Sequence, residues 1–126
     1  MDNSILDQYI IGRVEPQIYA FSTGTVPNYL KVGDTYRPVE HRLDEWRKYF
    51  PDLEKKFAAI SKVDEEIYFR DFAVHYFLEH DKQLHRLLPT DMEELPYYSK
   101  EFFEYSTDND VAEAIHDIKE DFESNK

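Results

Sequence analysis

The sequence has no cysteine, only three glycines and no long hydrophobic run. The absence of cysteine excludes disulfide bonds and thiolate metal sites, and it is compatible with a cytoplasmic protein. No segment reaches the ~18–20 consecutive apolar residues of a membrane-spanning helix. The first residues, MDNSILDQYIIGR, have no basic stretch ahead of their apolar residues, so they do not resemble a signal peptide. We expect a soluble, cytoplasmic protein without a membrane partner.

Several motifs that define enzyme classes are also absent. The chain contains no GxxxxGK[ST] loop, no GxSxG, no HExxH and no Cys/His zinc set, which argues against the chemistry that each of these motifs supports. Aromatic residues, in contrast, make up 16% of the 126 residues. That length and that aromatic content are enough to build the packed core of one domain.

Acidic residues outnumber basic ones, giving a formal net charge of −12. Residues 91–126 contain twelve acidic residues against three lysines, whereas residues 31–62 contain eight basic residues against six acidic ones. The acidity therefore belongs mainly to the last third of the chain. Because nucleic-acid binders usually carry a basic surface, we expect tight DNA binding to need a neighbouring domain or a partner.

The first half of the chain predicts a hairpin followed by a helix. Loosely alternating β-branched and aromatic residues predict strands at 17–23 and 29–35, with turn-forming residues at 24–28. Pro38 fits the first turn of a helix that Pro51 ends. The apolar residues of this helix form one stripe at helical spacing: Val39, Leu43, Trp46 and Phe50. Residues 54–62 fit either a third strand or a short helix.

The second half predicts two helices separated by an irregular segment. Asp64 is a candidate cap for a helix at 64–80, and the number of apolar residues in it predicts that it is mostly buried. Residues 81–100 are interrupted by Pro89 and Pro96, whereas residues 108–123 have helical spacing with Thr107 as the N-cap. We predict an α/β (α+β) fold in which helices pack on a small mixed or antiparallel sheet.

Four short motifs occur in an informative order along the first strands and helix. Tyr19 lies in QIYAF, LKVG places Lys31 and Gly33 on the second strand, Thr35 follows, and Arg42 lies in the helix. This order resembles the GIY-YIG nuclease superfamily, in particular its phage-type subgroup with a KIG-like second half-motif. The resemblance covers residues 17–105 and implies a three-stranded sheet, which favours a strand at 54–62.

The resemblance implies a metal-dependent endonuclease that hydrolyses phosphodiester bonds. Tyr19 would direct the attacking water or donate a hydrogen bond to the phosphate, and Lys31 would be a base or a phosphate contact. The planar, permanently charged guanidinium of Arg42 suits the charge that develops on phosphate oxygens. Other candidates have supporting roles: Gly33, Thr35, His41, His75 and Glu101.

A helical acidic residue would hold one Mg²⁺ or Mn²⁺ ion in this family. Asp71 is the best match, because it stands four residues before His75 on one helix face. Glu66 and Glu79 are the fallback ligands. Asp71 is one methylene shorter than the Glu of the family, and Gln17 stands where the first family Gly would be.

The sequence therefore leaves two functions open. The first is the endonuclease, with DNA as its substrate. The second is a degenerate module of the same fold that binds DNA or protein without cutting. We divide the chain into an approach segment at 1–16, the GIY-YIG-like domain at 17–105 and an acidic helix at 106–126. The stretch also resembles N-terminal domains found ahead of helicase-type restriction or repair ATPases, so further domains of the same polypeptide are candidate partners.

Overall fold

The computed structural model describes residues 15–64, 67–88 and 99–125. Nine helices and strands follow one another within these residues: β1 (Gln17–Ser22), β2 (Tyr29–Thr35), α1 (Val39–Arg47), β3 (Glu54–Ile60), β4 (Lys62–Asp64), β5 (Ile67–Tyr68), α2 (Asp71–His80), β6 (Phe102–Glu104) and α3 (Asp108–Ser124). The predicted α+β class is confirmed. None of the described helices is both long and apolar enough to cross a membrane.

The main sheet is antiparallel and has the strand order β3-β1-β2-β6. It therefore has four strands where the sequence predicted three. The predicted strand at 54–62 is confirmed as β3. The additional strand, β6, is only three residues long and pairs with the first three residues of β2. A separate two-stranded antiparallel sheet is formed by β4 and β5.

Alternation along the strands divides the interior into two clusters, one on each face of the sheet. The cluster under α1 contains Tyr19, Phe21, Val26, Val39, Leu43, Trp46, Phe50, Leu53, Leu87 and Phe102. The cluster under α2 and α3 contains Ile18, Ala20, Leu30, Val32, Phe69, Val74, Leu78, Phe103, Val111, Ala114, Ile115 and Ile118. The sheet is thus covered by a helix layer on both faces. The four residues of the predicted apolar stripe are buried, although α1 ends at Arg47, before Phe50 and earlier than the predicted end at Pro51.

The helix predicted at 64–80 begins later than expected. Lys62–Asp64 and Ile67–Tyr68 are the paired strands β4 and β5, and α2 begins at Asp71. The helix starts there because a distant side chain, that of Asp34, accepts the backbone N–H of Asp71 at 3.0 Å. Asp64 is therefore a strand residue and not a helix cap, and Glu66 lies outside the described residues.

The prediction that this segment is mostly buried is also wrong. Phe72 is 69% exposed and Tyr76 is 58% exposed. The two lie one turn apart on the side of α2 that faces away from the sheet. The opposite side of α2 carries Val74, His75 and Leu78 into the interior.

The last helix agrees with the prediction. Thr107 accepts the backbone N–H of Asp110, and the side chain of Asp110 accepts the backbone N–H of Thr107. This reciprocal pair is a capping box, which satisfies two backbone donors at the helix start. Of the predicted irregular segments, residues 1–14 and 89–98 lie outside the described residues, and so do Pro89 and Pro96.

Candidate active site

Tyr19 and Gly33 stand opposite each other on β1 and β2. Gly33 has no side chain, and a Cβ at this position would lie 2.8 Å from the Tyr19 hydroxyl and 2.9 Å from Lys31 Nζ. Real Cβ atoms do not approach other atoms so closely, so only glycine leaves room for both polar groups. The phenol oxygen and the ammonium therefore meet over the backbone of Gly33.

Helix α1 adds two side chains to this group. Trp46 Nε1 donates a buried hydrogen bond of 2.8 Å to the Tyr19 hydroxyl. Arg42 is four residues earlier on the same side of the helix, and its guanidinium lies 5.1 Å from the centroid of the Trp46 ring. Arg42 Nη1 donates to Glu45 Oε1 at 3.2 Å. Burial would lower the pKa of Arg42, but the neighbouring Tyr19 and Glu45 keep it raised. With 34% of its side chain exposed, Arg42 is the cation of this group that solvent reaches.

Lys31 lies deeper. Its side chain is fully buried, and its ammonium donates to Glu101 Oε1 at 2.6 Å. The ammonium also lies 4.4 Å from the centroid of the Trp46 ring. A buried ammonium is stable only when it is paired, and the carboxylate and the aromatic face provide that compensation.

The carboxylate of Glu101 connects Lys31 to α2. One oxygen each of Asp71 and Glu101 and one ring nitrogen of His75 lie within 4.8 Å of one another. The three residues meet where β2 leaves β6, because β2 pairs with β6 only as far as Lys31. The next residue of β2, Val32, contacts His75 instead, because its carbonyl oxygen lies 2.7 Å from His75 Nε2. A carbonyl can only accept, so Nε2 carries the proton and Nδ1 holds the free electron pair of the neutral ring.

The two carboxyl groups of this cluster have opposite pKa shifts. Burial, a hydrogen bond with Glu101 and the charge of Asp34 raise the pKa of Asp71 to about 7. Burial would also raise the pKa of Glu101, but the charge and hydrogen bond of Lys31 lower it below its usual value. A proton between the two carboxyl groups therefore resides on Asp71, while Glu101 is ionised beside Lys31. Burial lowers the pKa of His75, which keeps its ring neutral at neutral pH.

The donor atoms of this cluster fit a divalent cation. Carboxylate oxygens are the preferred ligands of Mg²⁺ and Mn²⁺, and a neutral imidazole is accepted by Mn²⁺. A bound cation would replace the proton that Asp71 holds. Among the described residues, this is the group of His, Asp and Glu side chains close enough together to hold a metal ion.

Most of the predicted site residues are brought together, and two are not. Tyr19 and Lys31 meet at Gly33, and Arg42 joins them through Trp46. The cluster of Asp71, His75 and Glu101 adjoins Lys31 through Glu101. Thr35 lies at the end of β2, where its hydroxyl accepts the backbone N–H of Arg37 at 3.0 Å and shapes the turn into α1. His41 is exposed on α1.

Of the two fallback metal ligands, Glu79 does not join the cluster. Glu79 is two turns along α2 from Asp71 and pairs with Arg86 at 2.6 Å. Glu66 lies outside the described residues. Asp71 is therefore the helical acid that the fold places beside the other site residues.

Sequence reasoning missed two members of the site. It assigned Trp46 to the core, although its position four residues after Arg42 on one helix face was a signal that the two belong together. It did not identify Asp34, whose Oδ2 accepts from the backbone of Asp71 and from Arg70 Nε at 2.6 Å. No local pattern marks Asp34, because both partners are more than thirty residues away in the sequence.

No protein-family model matches the chain, and no curated protein or solved structure matches it either. The site itself combines a guanidinium open to solvent, a hydrogen-bonded phenol, a buried ammonium and a carboxylate cluster suited to a cation. A guanidinium and a divalent cation both stabilise negative oxygens. The arrangement is therefore suited to a substrate whose charge is anionic and increases during the reaction.

Proposed function

We propose that the chain is a metal-dependent endonuclease domain of GIY-YIG type that hydrolyses phosphodiester bonds, with DNA as its substrate. The observation that carries this proposal is the grouping of Tyr19, Lys31 and Arg42, from two strands and a helix, around Trp46, with Tyr19 and Lys31 also meeting at Gly33. The Asp71–His75–Glu101 cluster lies next to them. Phosphodiester hydrolysis uses a group that orients water, positive charge on the phosphate and a metal ion. Tyr19, the two cations and the neighbouring candidate metal site would supply these.

The proposed roles follow from the positions of these groups. Arg42 would bind the non-bridging oxygens of the phosphate and stabilise the charge that builds there. The Tyr19 hydroxyl, which accepts a hydrogen bond from Trp46 Nε1, would orient the attacking water. One P–O bond forms to the water oxygen, the P–O bond to the leaving oxygen breaks, and the proton lost by the water is balanced by the proton that the leaving oxygen gains.

Mg²⁺ or Mn²⁺ bound by Asp71 and Glu101, with His75 beside them, would supply positive charge for the leaving oxygen. Glu101 would then divide its interactions between the cation and Lys31. Because the ammonium of Lys31 is fully buried, its role in the proposal is to hold Glu101 ionised and in place. It would contact the phosphate only if Glu101 turned away.

A second candidate function is supported by burial and by charge. Tyr19 is 1% exposed and Lys31 is fully buried, and the net charge of −12 opposes binding to a polyanion. A module that retained these residues for packing and binds DNA or protein without cutting would have these properties. Further domains of the same polypeptide, of the helicase-type restriction or repair kind, would then determine its partners.

Nicking of supercoiled plasmid DNA, with Mg²⁺ or Mn²⁺, separates the two functions. We expect metal-dependent nicking by the wild type and a loss of at least about 100-fold in Arg42→Ala and in Asp71→Ala. Arg47→Ala is the matched control, because Arg47 lies on the same helix but pairs with Asp44 at the surface. We also expect Mn²⁺ to raise the melting temperature of the wild type and not that of Asp71→Ala.

Two results would reject the nuclease. One is a wild type that nicks no DNA with either metal and does not gain thermal stability from Mn²⁺. The other is nicking that persists unchanged in Arg42→Ala, which would indicate a contaminating enzyme. Nicking that Arg47→Ala also abolishes would reject the specific role of Arg42.

A further inference from the structure

Trp46 is the side chain that all three predicted catalytic residues contact. It is the only tryptophan of the chain and is 6% exposed. Its indole N–H donates to the Tyr19 hydroxyl at 2.8 Å. The ammonium of Lys31 lies 4.4 Å and the guanidinium carbon of Arg42 lies 5.1 Å from the centroid of its ring. One indole therefore contacts the phenol and both cations.

Packing alone does not explain this choice of residue. The ring does fill space against Phe21, at 5.9 Å between centroids, and against Phe50, at 6.2 Å. Phenylalanine or leucine would also serve that purpose in a cluster of apolar residues. Indole brings a donor that must be satisfied when buried, and the partner it finds is the Tyr19 hydroxyl.

The ring face has an electrostatic role as well. Aromatic faces carry negative charge density, which attracts a cation within about 6 Å of the centroid, and tryptophan does this best. Lys31 and Arg42 both lie inside that distance. Two like charges near one point repel each other, so an aromatic ring in contact with both reduces the cost of keeping them together.

We propose that Trp46 is a positioning residue of the active site, an inference that rests on the proposed nuclease function. Its N–H fixes the direction of the Tyr19 hydroxyl, and its ring fixes Lys31 and Arg42 on the same side of the sheet. Because Trp46 is only 6% exposed, the proposal gives it no direct contact with the phosphate or the attacking water. It acts through the three residues that it holds.

Two substitutions separate the donor from the ring. Trp46→Phe removes the N–H but keeps an aromatic face, whereas Trp46→Leu removes both and keeps an apolar side chain. Phe50→Leu is the matched control, because Phe50 stacks on Trp46 in the same buried cluster and belongs to none of the polar groups of the site. All three are measured well below their melting temperatures, so that the folded fraction is the same.

Kinetics on an oligonucleotide substrate provide the main readout. We expect Trp46→Phe to lower kcat by about 10–100-fold, because a misdirected hydroxyl weakens the transition state, with KM changed by no more than about twofold, because Arg42 still binds the phosphate. We expect a larger loss of kcat in Trp46→Leu, and in Phe50→Leu a lower melting temperature with unchanged kcat. Equal kcat in Trp46→Phe and the wild type would overturn the proposal. So would a kcat in Phe50→Leu that falls as far as in Trp46→Phe.

The single indole allows a second readout that does not depend on activity. A ¹H–¹⁵N spectrum contains one indole N–H resonance, and we expect Tyr19→Phe to move it upfield because the hydrogen bond is lost. An indole resonance that does not respond to Tyr19→Phe overturns the proposal. A wild type that cuts nothing overturns the proposed function instead, and this resonance then still decides whether Trp46 holds Tyr19.

Discussion

The two faces of the sheet are built from alternate residues of the same strands. The face under α2 and α3 is lined by Ile18, Ala20, Leu30 and Val32, all of them buried. The residues between them face α1 and include Tyr19 and Lys31, which are buried to the same extent. Burial of an ammonium is costly unless it is paired, whereas burial of apolar side chains is the main stabilising term in folding.

The strand side chains under α2 and α3 are apolar, whereas those under α1 supply Tyr19 and Lys31 to the candidate site, which Asp71 and His75 of α2 adjoin. The polar groups of the α1 face are all compensated: Trp46 donates to Tyr19, and Lys31 pairs with Glu101. This pairing offsets the cost of burying the polar groups. It does not make them contribute more to stability than an apolar pair of the same size would. Substitutions on the two faces should therefore separate stability from activity.

The largest effect on stability is expected on the apolar face. Ile18→Ala removes three methyl or methylene carbons from a side chain that is 0% exposed, and we expect a loss of about 3 kcal/mol of unfolding free energy. Ile18→Val should lose only about 1 kcal/mol. Urea unfolding measures both. Cleavage per folded molecule should remain as in the wild type. A specific loss of activity in Ile18→Val would contradict the expectation that substitutions on this face change stability alone.

The next largest effect is expected for the buried ion pair on the α1 face. Lys31→Met leaves Glu101 without its partner, and we expect a loss of about 2–3 kcal/mol, somewhat below the usual cost because Glu101 is 29% exposed. In the double variant Lys31→Met/Glu101→Gln we expect stability within about 1 kcal/mol of the wild type. Urea unfolding of both single variants and the double variant gives the coupling energy.

Across these three variants, activity should not change in parallel with stability. Both single variants and the double variant should lose metal-dependent cleavage, because Glu101 or the residue that orients it is absent. A double variant that recovers stability but stays inactive would show that the ion pair is retained for chemistry. Recovery of cleavage together with stability would mean that the pair serves folding alone.

The elements around the site were predictable to different degrees. The hairpin of β1 and β2 and the helix α1 have local signals, namely alternation, a turn and Pro38. The short turn brings the two strands together as predicted, but the register that places Tyr19 opposite Gly33 was not predicted from the sequence. The start of α2 did not, because it depends on Asp34, which lies in another strand.

Long-range contacts explain the remaining gaps. The strand β6 has three residues and exists because it pairs with β2, some seventy residues earlier, so no local pattern could predict it. The contact of Lys31 with Glu101 spans the same distance. Trp46 was assigned to the core correctly as far as burial goes, but its N–H partner on β1 depends on how α1 packs on the sheet.

A smaller effect is expected from pH on Asp71. The pKa of Asp71 is raised to about 7 in the folded chain, whereas it is about 3.9 in an unfolded one. Its protonated form therefore favours folding below about pH 4, and this contribution is lost as pH rises through about 7. Asp71→Asn does not ionise, so at pH 8 we expect it to exceed the wild type by about 1–2 kcal/mol, after allowance for solvent screening.

Melting temperatures in EDTA at pH 5 and pH 8 measure this difference. We expect the gain of Asp71→Asn over the wild type to be larger at pH 8 than at pH 5. Mn²⁺ should reverse the order at pH 8, because the ion stabilises only the carboxylate. A gain that is the same at both pH values would mean that Asp71 is already ionised at pH 5 and that no proton has to leave when the cation binds.

The smallest effect is expected at the start of α3, far from the site but on the apolar face. Thr107→Ala removes one half of the capping box and should cost about 1 kcal/mol. Thr107→Ser keeps the hydroxyl and should cost less, so the pair isolates the cap. If α3 contributes only burial, cleavage and the response to Mn²⁺ should be unchanged in both variants once the folded fraction is matched. A change in either would show that a shift of the helix packed against Ile18 and Val32 is transmitted through the sheet to the groups on its other side. The two faces would then differ in the chemistry of their side chains but would still be mechanically coupled.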